Sequence, residues 1–277
     1  MRRFRPTTIA VLATGATICG VATLIWFVWA GPVPQPIPAV LVAHAGGGIA
    51  GETYSNSLEA LDRNYTNGHR LFEIDLNWTT DEHLVLVHDW DNSFKKWFAA
   101  ASVQPSLEEF KTLKMNSGLT QLTLEDLYTW LRNHKYAYIV TDVKERNLAA
   151  LGVIARTAGK LKRHFVPQIY HFSEFGPVRE LGFENIIFTV YRSRATPDQV
   201  LSFGTTNALF AITMRRKWAL SLPLPQELKS RGVFVYAHTV NSLDLWRDLR
   251  AAGVSGIYTD FLTPAEVGQP TVDRLNR

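Results

Sequence analysis

Cysteine is nearly missing from this chain: Cys19 is the one example in 277 residues. No intrachain disulfide can form, which excludes a disulfide-stapled scaffold. Excess charge is almost as scarce. The 29 Lys and Arg against 25 Asp and Glu leave a net charge of +4, and Arg2, Arg3 and Arg5 supply three of those charges. The remainder is close to neutral, so nothing points to a nucleic-acid partner. There is no short internal repeat, and no low-complexity tract beyond one proline-rich stretch. What is present is an ordinary globular composition, 46% hydrophobic and 19% charged. The length suits a full core and is common among single α/β barrels.

Residues 8–30 form an uncharged, largely apolar run long enough to cross a bilayer. Arg2, Arg3 and Arg5 precede it, and no Lys or Arg follows until Arg63. The positive-inside rule puts the N-terminus in the cytoplasm and the rest outside. The expected organisation is a transmembrane signal anchor over 1–30, a proline-rich spacer over 31–39 and a folded domain over 40–277. The anchor is expected to stay attached, giving a single-pass membrane protein. The alternative is secretion after cleavage near the small residue Ala30.

The most informative stretch is 71–89. Two strand-length apolar runs, Leu71–Leu76 and Leu84–Val87, flank the polar Thr79-Thr80-Asp81-Glu82. So short a connection predicts an antiparallel hairpin. Centring the turn near Asp81 places Asp75 roughly opposite His88. Glu73 and Asp75 leave the same strand face, and Phe72, Ile74 and Leu76 leave the other. Two carboxylates on an apolar strand repel unless something positive lies between them, and a divalent cation is the usual answer. The alternative is a pair of solvent-facing acids on an edge strand.

Elsewhere, strand-like runs at Val40–Ala43, Tyr136–Val140, Phe165–Tyr170, Asn185–Val190, Ala208–Thr213, Val233–His238 and Gly256–Thr259 are mostly separated by helical stretches. Setting aside the returning hairpin arm, eight principal strands remain. This alternation predicts parallel strands with crossover helices, hence an α/β fold of the (β/α)8 TIM-barrel type with a β-hairpin at the second strand. An open doubly wound sheet is the structural alternative.

In such a barrel, side chains that act together lie at the carboxyl ends of the strands. Collected there are His44, Glu73, Asp75, Asp142, Lys144, Arg192, His238 and Asn241. Three carboxylates from neighbouring strands suit one hard cation with oxygen ligands. Two histidines alongside suit proton transfer, and together they fit phosphodiester hydrolysis. His238 reads as a pocket-wall residue. Asn241 reads equally as a cap for the helix starting at Leu243 or as a site residue.

Several motifs then occur in a consistent order over residues 40–264. They are His44-Ala45-Gly46, Ser55-Asn56-Ser57, Glu73-Ile74-Asp75, Val85-Leu86-Val87-His88-Asp89, Asp142-Val143-Lys144, His238-Thr239-Val240-Asn241 and Gly256-Ile257-Tyr258-Thr259-Asp260. In this the sequence resembles the glycerophosphodiester phosphodiesterase family, within the phosphatidylinositol-phospholipase-C-like barrels. The resemblance implies His44 and His88 as the acid–base pair, and Glu73, Asp75 and Asp142 as ligands of Ca²⁺ or Mg²⁺. It places Lys144 near the phosphate. It implies a glycerophosphodiester or related phospholipid or envelope phosphodiester as substrate. The chain departs from the family pattern at Ala45, where Arg is usual, at Ser55, where Glu is usual, and at His238, where Trp is usual. Arg192 or Lys217 would be the replacement for the absent positive charge. Two alternatives follow: a catalytically weakened barrel that binds phosphorylated ligands, and a phospholipase or lyase releasing a cyclic phosphate.

Overall fold

The computed structural model describes residues 38–98 and 103–269. The apolar run at 8–30 and most of the spacer lie outside them. Among the described residues no helix is long and apolar enough to cross a membrane.

The chain begins with β1 (Leu41–Ala43), α1 (Leu58–Thr66) and the hairpin β2 (Leu71–Trp78) and β3 (Leu84–Leu86). An excursion carrying α2 (Asn92–Phe98), α3 (Leu107–Thr112) and α4 (Leu124–Asn133) leads to β4 (Tyr138–Val143). Regular alternation then runs through α5 (Asn147–Thr157), β5 (Phe165–Ile169), α6 (Phe175–Glu180), β6 (Ile187–Thr189), α7 (Pro197–Thr206) and β7 (Ala211–Arg215). It ends with α8 (Arg216–Ser221), α9 (Leu224–Ser230), β8 (Val235–His238), α10 (Leu243–Ala251) and β9 (Gly256–Thr259).

Eight of these strands are parallel. β1 pairs with β2, setting Val42 against Leu71, and also with β9, setting Leu41 against Ile257. The sheet therefore closes on itself, and the open doubly wound alternative is excluded. Strand alternation divides the apolar residues into two cores. Val42, Leu71, Tyr138, Val140, Val166 and Ile187 fill the barrel interior. Leu41, Ala43, Phe72, Ile74, Leu76 and Ile139 face the helices. Along β2 this leaves Glu73 and Asp75 on the interior side, in register with Val140 and Asp142 of β4.

Only β3 runs antiparallel. Leu84 and Leu86 join the main core, while Val85 and Val87 face a satellite core with Phe94, Trp97, Phe98, Phe110 and Met115 from the excursion. The hairpin register differs by one residue from the expectation. Leu76 pairs with Leu86, so Val87 rather than His88 would fall opposite Asp75, and the ladder ends before either. The amide of Asn77 accounts for that ending by donating to the carbonyls of Val87 and His88.

Helix starts follow their local chemistry. Thr123 caps α4 in a reciprocal box with Asp126, and Ser57 caps α1. β4 extends three residues beyond the expected Val140, which places Asp142 within the strand rather than after it.

His69, just before β2, is 3% exposed. Burial outweighs the hydrogen bond to the Leu262 backbone, and nearby Arg70 adds to it, pushing the imidazole down to about 4. The unfolded chain takes up this proton near the ordinary value of 6.5, while the folded chain resists it. The stabilisation is therefore present above pH 6.5 and is lost as pH falls towards 4. Urea unfolding of wild type and His69→Gln at pH 7 and pH 4 should differ. The variant is expected to lose less stability over that interval, by a margin on the order of 3 kcal/mol.

Candidate active site

On the interior face of β2 and at the carboxyl end of β4, Glu73, Asp75 and Asp142 are 2%, 1% and 7% exposed. Each offers a carboxylate oxygen within 4.8 Å of the others. The alternative of solvent-facing acids on an edge strand is thus excluded. Each acid is held by the surrounding chain. The Ala45 backbone N–H donates to Glu73 Oε2 at 2.7 Å, and the Asn56 amide donates to Asp75 Oδ2 at 3.0 Å. Asn56 also accepts from the Asp75 backbone N–H, locking the pair face to face. The Tyr170 and Tyr191 hydroxyls donate to Asp142.

The backbone that makes these contacts is strained. Ala45, Tyr54 and Asn56 all have positive φ, in the left-handed region that L residues rarely adopt. Asn tolerates it, whereas Ala and Tyr each cost on the order of 1 kcal/mol or more. Strain of this kind persists where the neighbouring contacts over-determine it.

Lys144 places its ammonium 2.7 Å from Asp75 Oδ1 and 2.8 Å from Asp142 Oδ2. One ammonium against three carboxylates leaves the cluster short of positive charge. Burial pushes Glu73 up to about 8, and the neighbouring Asp75 charge adds to it. Asp75 is lowered: burial opposes this, but Lys144 and the nearby imidazoles outweigh it. Buried hard oxygen donors with a deficit of positive charge fit a Ca²⁺- or Mg²⁺-sized cation.

Two imidazoles flank the acids. His44 Nδ1 lies 2.8 Å from Asp260 Oδ1, and His88 Nδ1 lies 2.6 Å from Asp89 Oδ2. Each aspartate fixes a proton on Nδ1 and leaves Nε2 for exchange with a ligand. Burial would lower the His44 pKa, but the Asp260 hydrogen bond and the charges of Glu73, Asp260 and Asp75 override it and raise it to about 9. The Tyr54 ring sits between the imidazoles, 4.9 Å from His44 and 4.5 Å from His88 between ring centroids. Acids, imidazoles and Lys144 line one cavity of about 150 Å³.

A sequence model of the glycerophosphoryl diester phosphodiesterase family matches residues 47–263. The chain belongs to that family. Its members are phosphoric diester hydrolases, so the chain is an enzyme of this class. Solved structures agree on the fold. A glycerophosphodiester phosphodiesterase from Thermotoga maritima is 17% identical, covering 88% of this chain and 100% of its own, with a TM-score of 0.64. One from Parabacteroides distasonis is 21% identical over 85% and 97% of the two chains, also at 0.64. A phosphodiesterase from Oleispira antarctica, solved with its product sn-glycerol-3-phosphate, is 16% identical over 84% and 96%, with a TM-score of 0.62.

The other residues singled out in the sequence fall in different places. His238 lines the cavity, with burial lowering it to about 4 and the His44 charge adding to that. Arg192 does not line the cavity. Its guanidinium stacks on Tyr170 and donates to the carbonyls of Val143 and Lys144. Lys217 is exposed on α8. Asn241 does not cap α10, a role taken by Ser242. Instead it holds Asp260, donating to Oδ2 at 2.7 Å and accepting from the backbone N–H. Sequence reasoning assigned no role to Asp89, Asp260, Asn56, Tyr54, Tyr170 or Tyr191. Asp89 directly follows His88 and Asp260 ends a strand motif, so both were in view without their function.

The glycine run after His44 is a packing device rather than part of the cavity wall. A Cβ on Gly48 would lie 2.8 Å from the Asp260 carbonyl oxygen and 2.3 Å from the Phe261 ring. The exposed ring can swing away, but the carbonyl moves only with Asp260. Gly48→Ala is expected to cost about 1–3 kcal/mol in thermal unfolding. It should also lower turnover by disturbing the brace on His44, as steady-state kinetics would show.

Proposed function

We propose that this enzyme is a divalent-metal-dependent phosphodiesterase that hydrolyses a glycerophosphodiester, or a related phospholipid or envelope phosphodiester, with His44 and His88 as its acid–base pair. The observation that carries the reading is a trio of buried acids with an aspartate-braced imidazole on either side, all facing one cavity. Glu73, Asp75 and Asp142 would hold Ca²⁺ or Mg²⁺. When bound, the cation offsets charge developing on the phosphate oxygens. Lys144, anchored between two of the acids, presents a further positive charge to the phosphate. One imidazole takes a proton from the attacking oxygen, and the other returns one to the departing alkoxide. His238, neutral at physiological pH, forms part of the wall. The product-bound relative from Oleispira antarctica supports a glycerol phosphate product.

The test is a panel of phosphodiesters, glycerophosphodiesters among them, assayed with Ca²⁺ or Mg²⁺ and with chelator. Hydrolysis that stops with chelator and returns with the metal is expected. Turnover unaffected by chelator would remove the metal from the reading, and a cyclic phosphate product would favour the lyase course.

We further propose that residues 1–30 anchor the enzyme, 31–39 space it from the membrane, and 40–277 act on the outer face. The apolar run and the N-terminal arginines support this. A full-length chain in the membrane fraction is expected, whereas a soluble chain beginning near Gly31 would indicate cleavage.

A further inference from the structure

Two grooves adjoin the cavity, and their charges are opposite. One shares His88 and Lys144 with it and carries Asp89, Asp91 and Glu145. The other shares Tyr191, holds about 240 Å³, and is walled by Ser193, Arg194, Arg215 and Trp218. Arg192 and Arg194 lie on the loop after β6, and Arg215, Arg216 and Lys217 follow on from the end of β7. β6 and β7 are neighbours in the barrel, so these five cations share one sector of the catalytic rim.

None of the five has a carboxylate within ion-pair distance among the described residues. Arg192 and Arg216 are occupied by backbone carbonyls. Arg215 lies over the Tyr191 ring, its Cζ 5.7 Å from the centroid. Beyond the three N-terminal arginines the sequence is nearly neutral, so this density does not follow from a generally basic chain. Like charges held together without counter-ions repel one another, a cost that an anionic ligand removes.

We propose that the β6–β7 groove is a second anion subsite, which takes a further phosphate carried by the substrate beyond the diester being cleaved. The inference rests on the phosphodiesterase reading and adds a substrate class to it: molecules with two or more phosphates. Tyr191 sets the spacing. Its hydroxyl donates to Asp142 in the cavity, and its ring floors the groove beneath Arg215. A second phosphate thus sits about one tyrosine ring from the first. The acidic groove on the other side repels a second phosphate, which leaves the basic groove as its exit. Arg194 and Arg215 supply planar, multidentate donors suited to phosphate oxygens.

The experiment is calorimetric titration of the full chain, loaded with Ca²⁺ or Mg²⁺, with glycerol 1,3-bisphosphate and with glycerol 3-phosphate. Wild type is expected to bind the bisphosphate about ten-fold or more tightly than the monophosphate. In R194E/R215E the ratio should fall to near one, and in R194E alone, where the side chain is exposed, to an intermediate value. Thermal melts check that each variant is folded. Equal affinities in wild type, or no binding of either compound, would overturn the proposal. So would a preference that survives in both variants. If the double variant keeps the preference but loses adhesion to vesicles of anionic phospholipid, the rim is a membrane contact and the subsite is refuted. Failure of the phosphodiesterase reading looks different: no diester is turned over in either metal, whatever the affinity ratio.

Discussion

Alanine at either His44 or His88 is expected to lower turnover of a phosphodiester by about 10²–10⁴-fold, with the thermal midpoint little changed. The size follows from the placement of the rings. Both imidazoles have Nδ1 committed to an aspartate, which leaves Nε2 of each as the atom that moves the proton. His238 cannot substitute, because burial in the wall keeps it neutral and its Nε2 has no hydrogen-bond partner among the described residues. The fold should tolerate both changes, since His44 and His88 belong to none of the three apolar cores. Asp260→Asn should give a smaller loss that a structural role alone would not produce: the pH–rate profile shifts, because the carboxylate that raises His44 is gone. Near-normal kcat in both alanine variants would overturn the acid–base assignment.

Glu73→Gln has the second large effect, and here stability and activity are expected to move in opposite directions. Without metal, Glu73 is buried beside Asp75 and its carboxyl is raised to about 8. The unfolded chain gives up this proton near pH 4.5, while the folded chain keeps it. The folded state therefore loses stability as pH rises between those values. A neutral amide removes the penalty, so in chelator at pH 7 the variant should be more stable than wild type by about 1–3 kcal/mol. Added Ca²⁺ or Mg²⁺ should raise the wild-type melting temperature much more than that of the variant. Turnover should fall by orders of magnitude, because the cluster loses one of its three anionic donors. A variant that is less stable than wild type in chelator, or that keeps its metal response, would contradict the account.

The barrel was legible because each strand is a short apolar run bounded by turn residues, and because eight such runs alternate with helical ones. Glu73 and Asp75 could be read as partners from their spacing alone, since strand geometry puts i and i+2 on one face. Asp142 became their neighbour only through the pairing of β4 with β2, and its motif signalled this in advance. The braces were harder to see. Asp260 lies 216 positions from His44, and only closure of β1 on β9 brings the two within hydrogen-bonding distance. His88 falls one residue from its expected place because the register is set at the turn, where Trp78 pairs with Leu84, and the Asn77 amide then takes the carbonyls of Val87 and His88, neither of which a period of two encodes. Arg192 sits at a strand end like the site residues, yet its guanidinium turns onto Tyr170 and two carbonyls. Position along a strand does not fix where so long a side chain points.

The link from the first strand to the last has a temporal consequence. A nascent polypeptide still on the ribosome carries both imidazoles, all three acids and Lys144 long before residue 260 emerges. Until then the ring is open and His44 lacks its partner. A chain halted or clipped ahead of that point leaves β1 unpaired on one side and His44 unbraced, so the site takes its described form only once β9 has been added.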